Sequence, residues 1–505
     1  MLAKVLSGAN VGLDALLVTV EVDIASQGLP SFTIVGLADR AIEESKERVR
    51  SAIKNSGGEF PAKRITVNLA PADFPKEGPI FDLPIALGLL IASGQITANL
   101  DDTLVLGELS LDGTLRRVNG VLPLALLAQR LNLKRIFLPK DNAPEAAVVE
   151  GVEIYPMESL LQVSKFLLNQ EEINIQPKTQ FNIQSFDEEF DFAYIKGQEQ
   201  AKRALEIAAA GGHNILLKGP PGAGKTLLAR SFSSILPKLS FDEAVEVTKI
   251  YSVMGNLSAD EPIITTRPFR APHHSASYVG MIGGGNTIRP GEVSLAHRGV
   301  LFLDEFPEFS RQVIEALRQP LEDRVISISR ASGSMSFPAQ FILIAASNPC
   351  PCGFLGDQKR NCICLPGQIS RYQKKVSGPI LDRIDIHLDV PPVDIDKLTG
   401  KELGEASKKI KKRVDEARKI QRQRFRDFRI LTNSEMNNIQ IKKFCSISKD
   451  ALDLLKMAIA QMNLSARSYH RVLKLARTIA DLGKSEYIKT EHIAEALQYR
   501  AREES

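Results

Sequence analysis

Gly219-Pro220-Pro221-Gly222-Ala223-Gly224-Lys225-Thr226 lies between an apolar run, Asn214-Ile-Leu-Leu, and Leu227-Leu-Ala-Arg-Ser-Phe, which continues as a helix. Strand, glycine-rich loop and a Lys-Thr pair opening a helix make the phosphate-binding loop. Glycine lets backbone N–H groups curl round the β- and γ-phosphates, and the helix N-terminus adds partial positive charge. Lys225 is expected to reach the phosphates as a point charge, and Thr226 to offer its hydroxyl to Mg²⁺. The loop therefore predicts nucleoside triphosphate binding, with the whole stretch from Gly219 to Thr226 as its cradle.

Downstream, Gly299-Val-Leu-Phe-Leu-Asp304-Glu305 is an apolar run ending in two acids. This is the look of a buried parallel strand, whose C-terminal end is where α/β sheets place ligands. Asp304 is expected to hold Mg²⁺ through water, and Glu305 to polarise the attacking water. A third apolar strand, Phe341-Ile-Leu-Ile-Ala-Ala, ends in Ser347-Asn348-Pro349, placing Asn348 to orient that water as a sensor of the nucleotide.

The rest of the chain falls around this module. Its 505 residues are 44% hydrophobic and 25% charged, the composition of a soluble protein of about three domains. Leu13 to Val22 is broken by Asp14 and Glu21, and no apolar run reaches membrane-spanning length. A cytoplasmic protein without membrane association is expected. Residues 1–165 read as strands and amphipathic helices, 166–190 as a polar linker, 191–395 as the nucleotide module and 396–505 as a helical segment. A net charge of +4 does not by itself point to nucleic acid; its distribution says more. Arg267, Arg270 and Arg289, the last in a glycine-rich stretch starting at Gly283, precede Asp304, and Arg330 sits near the turn of an expected hairpin. A run from Lys408 to Arg429 is dense in Lys and Arg on one expected helix, either a solvated face or a nucleic-acid contact.

Four of five cysteines form Cys350-Pro-Cys352 and Cys362-Ile-Cys364. Two close pairs in a reducing compartment point to thiolate ligands, and four sulfurs suit structural Zn²⁺ in a small protruding knuckle. The alternative is a loop of unliganded cysteines. His273-His274 is read as part of a loop and not as a metal site.

At Lys76-Glu-Gly-Pro-Ile80-Phe-Asp-Leu, and again from Gly107 to Val121, the chain resembles the Lon-type serine protease domain. Ile80 and Leu122 stand where that family has its Ser and Lys, so the catalytic dyad is missing and peptidase activity is not expected. Ser377-Gly-Pro-Ile-Leu-Asp-Arg383 resembles the arginine-finger segment of ring-forming ATPases, and Arg467 fits the nucleotide-sensing arginine of their helical lid. Taken together, the chain resembles the magnesium-chelatase-like branch of AAA+ ATPases and, along its full length, the YifB/ComM family.

That resemblance implies an α/β fold: an AAA+ P-loop core with a helical C-terminal lid, preceded by a catalytically degenerate α+β Lon-like domain. It further implies ATP as the nucleotide, a homo-hexamer, and a DNA motor of helicase or branch-migration type serving recombination or natural transformation. The rival is a regulatory ATPase that remodels a protein partner, for which Tyr278-Val-Gly is a partial threading signature.

Overall fold

The computed structural model of the chain describes residues 2–181, 190–285, 288–330, 333–357, 360–392, 403–461 and 465–500. Several expectations lie outside the described residues: linker positions 182–189, Asn286 and Thr287 of the glycine-rich stretch, Ala331 and Ser332 with the Arg330 side chain, Lys359 between the cysteine pairs, the 396 boundary, and Leu464. Two compact units are present, Met1–Asn182 with Phe241–Thr265, and Ile183–Ser240 with Thr266–Ser505.

The first unit is built on a seven-stranded mixed sheet. Its spatial order is Ser31–Val35, Arg64–Ala70, Asp14–Ile24, Leu2–Val11, Thr103–Val105, Arg135–Pro139 and Glu153–Met157. Leu2–Val11, Asp14–Ile24 and Arg64–Ala70 run antiparallel in turn, and the other pairings are parallel. Period-two burial explains these strands: Val18, Val20, Val22 and Ile24 point inward, as do Ile65, Val67 and Leu69. Helix Arg40–Asn55 is capped by the Asp39 carboxylate, which accepts from Ile42 N–H. It buries Ile42, Val49, Ala52 and Ile53 at helical spacing. Ile80 and Leu122, which stand at the expected dyad positions, are buried apolar side chains.

The expected domain limits shift in two places. Helix Phe241–Met254, expected within the nucleotide module, belongs to the first unit. There Ser252 donates to the buried Glu145 carboxylate, which also accepts from Leu122 N–H. The start of the expected linker is tied down in the same unit, with Gln176 N–H on Ile154 O at 2.8 Å and Thr179 N–H on Ala147 O at 3.1 Å.

The second unit holds a five-stranded sheet in the order Phe269–Arg270, Val300–Leu303, Ile342–Ser347, Ile215–Lys218 and Ile386–Asp389, all parallel. The central strands are buried along their length, as a sheet covered on both faces requires. Their Ile215, Leu217, Phe302 and Ile344 share one core with Leu205, Leu228 and Phe232. The same core takes in Val472, Leu475 and Ile479 of helix Ala466–Leu482, so the C-terminal helices pack with the sheet unit as one body. Among the described residues no helix is long and apolar enough to cross a membrane.

Candidate active site

Parallel register decides where the chemistry gathers. Lys218 pairs with Ser347 and Asp389, and Leu303 with Ala345, so the loops following three adjacent strands leave the sheet at the same end. Those loops carry the phosphate-binding loop, Asp304-Glu305 and Asn348. Gly224 takes φ +83° at the N-cap of helix Lys225–Ile235, a left-handed turn that a side chain would strain. The helix therefore starts at Lys225, with its free backbone amides at the loop.

Lys225 is buried and its Nζ donates to Gly219 O (2.7 Å), Pro220 O (3.0 Å) and Asn348 Oδ1 (3.1 Å). Burial lowers the Lys225 ammonium below its ordinary value, against the pull of Asp304. Thr226 Oγ1 donates to Asp304 Oδ2 at 2.8 Å. A hydroxyl and a carboxylate facing each other beside a phosphate cradle are the hard oxygen donors that suit Mg²⁺. The structure thus brings Lys225, Thr226, Asp304 and Asn348 together.

Glu305 sits in left-handed backbone at φ +51°, with its N–H on Asp304 Oδ1 at 2.9 Å. Its carboxylate meets His274 Nδ1 at 3.2 Å, a partner the sequence did not reveal because the two residues lie on loops after different strands. The His273 and His274 rings are tilted by 35° with centroids 4.0 Å apart, and both residues lie outside helix and strand, as their reading as a loop expects. Tyr372 was also missed. Its side chain is buried with the hydroxyl facing the Asn348 backbone, and burial followed by Glu308 pushes the phenol up to about 12.

The four cysteines converge. Sγ of Cys350 lies 3.4 Å from that of Cys352 and 3.6 Å from that of Cys362, and Cys352 is 3.6 Å from Cys362. Cys352 N–H points at Cys364 Sγ at 3.4 Å, and all four sulfurs fall within 4.8 Å of one another. A zinc tetrathiolate with Zn–S near 2.3 Å has S···S edges of about 3.8 Å, so this donor set fits a tetrahedral ion. None of the four is in a disulfide.

The two remaining arginines stand elsewhere. Arg383 precedes strand Ile386–Asp389, and its carbonyl accepts from Asn214 Nδ2 at 3.4 Å, at the end of the sheet opposite the phosphate loop. Its guanidinium bonds Pro379 O (2.8 Å) and the Glu322 carboxylate. Arg467 is exposed in the first turn of helix Ala466–Leu482, where Arg471 bonds Arg383 O (2.9 Å) and Asp385. Neither arginine is brought to the phosphate loop of its own chain.

Comparison with known proteins accounts for both units. The family described as magnesium chelatase, subunit ChlI, matches residues 191–398, with the subunit ChlI family at 20–142 and its C-terminal family at 404–500. Competence protein ComM of Haemophilus influenzae is 46% identical over 508 residues, covering 99% of this chain and 97% of that one. The chain belongs to the YifB/ComM family. The uncharacterized protein YifB of Escherichia coli is 44% identical, over 98% of this chain and 96% of its own. DNA replication licensing factor MCM2 of Arabidopsis thaliana is 27% identical over 225 residues, 42% of this chain and 21% of that one. The molecule is accordingly a ComM-type AAA+ protein of the magnesium-chelatase-like branch.

In this family member two of the arginines that precede Asp304 have partners within the chain. Arg267 donates to Pro237 O (2.7 Å) and Arg298 O (2.6 Å), and Arg270 forms a bidentate pair with Glu292 at 2.7 Å for each bond. Arg289 is exposed and its side chain has no partner among the described residues. On helix Ser407–Arg424, Arg413 pairs with Glu206 and Glu405, Arg418 caps Ala209 O, and Arg424 pairs with Asp481. Lys408, Lys409, Lys412, Lys419 and Arg422 remain exposed.

Proposed function

We propose that this protein is an ATP-hydrolysing, homo-hexameric motor that moves DNA strands, of helicase or branch-migration type. One observation carries the ATPase reading. Lys225, Thr226, Asp304, Glu305 and Asn348 form one half of a phosphoryl-transfer site at one end of a sheet, while Arg383 stands at the other end. A ring of copies would join the two halves.

In that reading the loop amides and the start of helix Lys225–Ile235 bind the phosphates, and Lys225 leaves Gly219 O and Asn348 to reach them. Thr226 and, through water, Asp304 would hold Mg²⁺, which neutralises phosphate charge when bound. Glu305 takes the proton of the attacking water and Asn348 orients it. The neighbouring copy supplies Arg383 against the charge that develops on transfer, with Arg467 beside it. The four cysteines hold Zn²⁺ structurally, since four thiolates leave no open position. Ile80 and Leu122 supply neither nucleophile nor base, so the first unit is not a protease.

DNA enters through the relatives, one named for competence and one for replication licensing. Hydrolysis measured with and without single-stranded or forked DNA tests it: stimulation by DNA and ATP-dependent strand exchange are expected. Hydrolysis indifferent to DNA, with no strand exchange, would favour protein remodelling. Exposure of Tyr278 and Val279 on the short helix Tyr278–Ile282 is the feature that supports that second reading.

A further inference from the structure

The cysteine loop, expected to protrude, is packed against the phosphate-binding loop. Gly353, at φ +86°, passes so close that a Cβ there would stand 2.5 Å from Pro221 Cδ. It is held in that turn by Gly353 N–H on Cys350 O at 3.0 Å. Both ends of the loop also run into Asn348. Cys350 follows Asn348-Pro349 directly, and Cys364 leads through Leu365 into helix Pro366–Gln373. That helix carries Tyr372, buried with its hydroxyl facing the Asn348 backbone. Asn348 in turn accepts from Lys225 Nζ. A single chain of contacts thus runs from the four sulfurs to Asn348 and Lys225.

We propose that the metal held by Cys350, Cys352, Cys362 and Cys364 is the clamp that positions the nucleotide site, so that metal occupancy sets the rate of ATP hydrolysis. The physical reason is loop closure. With four thiolates on one ion, the segment between the cysteine pairs is closed at both ends, and Gly353 and Tyr372 are pressed onto Pro221 and Asn348. Without the ion, sulfurs 3.4–3.6 Å apart have no common partner. Asn348 then loses its backing on the helix side, and the P-loop prolines lose theirs. The cysteines and Gly353 are positioning residues here; none of them meets the phosphates.

This inference rests on the proposed ATPase, and its test separates the two. Full-length protein is purified reduced, its zinc counted by mass spectrometry, then removed with a thiol-safe zinc chelator and restored stoichiometrically, with Mg²⁺ in excess throughout. Removal is expected to lower kcat by about tenfold or more, the usual scale for lost support around a site, and zinc alone is expected to restore it. Gly353→Ala should keep its zinc yet weaken nucleotide affinity several-fold, because the added methyl pushes on Pro221. Tyr372→Phe should keep zinc and affinity and lose kcat. These two variants report on the coupling even if Cys362→Ser fails to fold. Absence of zinc from the reduced protein, a metal-free kcat within about twofold of the loaded one, or unchanged nucleotide affinity in zinc-loaded Gly353→Ala would each overturn the proposal. No hydrolysis by the loaded protein would instead defeat the ATPase reading beneath it.

Discussion

Glu305 is the residue on which catalysis is expected to turn, and in this structure its carboxylate is paired with His274. The pair is substantially exposed, so it is worth at most about 1 kcal/mol. His274→Ala is therefore expected to free the carboxylate and raise basal ATP hydrolysis by no more than about fivefold, as read in a steady-state assay. A large loss of activity would mean that His274 orients Glu305 productively instead. Among the cations, Arg289→Ala should weaken DNA binding across sequences and flatten its salt dependence by about one counterion. Arg267→Ala should instead lower the melting temperature, since Arg267 holds Pro237 O and Arg298 O. Lys225, Thr226, Asp304 and Asn348 were legible in the sequence because strand-end motifs encode both identity and place. The partners of Arg267 and Arg270 were not legible for a physical reason: a sequence displays charge but not the carbonyl or carboxylate beside it.

At the scale of elements, helix Ala466–Leu482 is fixed by an apolar face and by buried ionic contacts, among them Arg471 with Asp385 and Arg424 with Asp481. Burial alone would raise the Asp385 carboxyl, but Arg471 and His213 beside it hold it below the usual carboxylate range. Arg471→Ala removes the arginine paired with that buried charge and should cost about 3–5 kcal/mol in urea unfolding at pH 7. A depressed folded pKa gives stability that is complete above the unfolded value of about 4 and is lost as pH falls below it. The difference between wild type and Arg471→Ala should therefore shrink at pH 3, and a constant difference would disprove the assignment. The parallel sheet and the C-terminal helices were readable from apolar runs and helical periodicity. The placement of helix Phe241–Met254 was not, because its partner Glu145 is remote in sequence and its docking is a tertiary event. Nor could the cysteine spacing disclose Gly353 against Pro221, since a motif fixes ligands and not what they lean on.

At the scale of the whole molecule, the proposed site is completed by a second copy. Arg383 lies at the sheet end away from its own phosphate loop, so Arg383→Ala should bind ATP normally and hydrolyse it poorly. Lys225→Ala should fail to bind, and Glu305→Gln should bind without turnover. The decisive measurement is ATP hydrolysis by an equimolar mixture of Arg383→Ala and Glu305→Gln proteins, compared with each alone. In mixed rings about a quarter of the interfaces join an intact Glu305 to a neighbour's intact Arg383, so activity absent from either variant should reappear at roughly that fraction of wild type. Full activity of Arg383→Ala by itself, or a mixture no more active than its parts, would contradict the shared site.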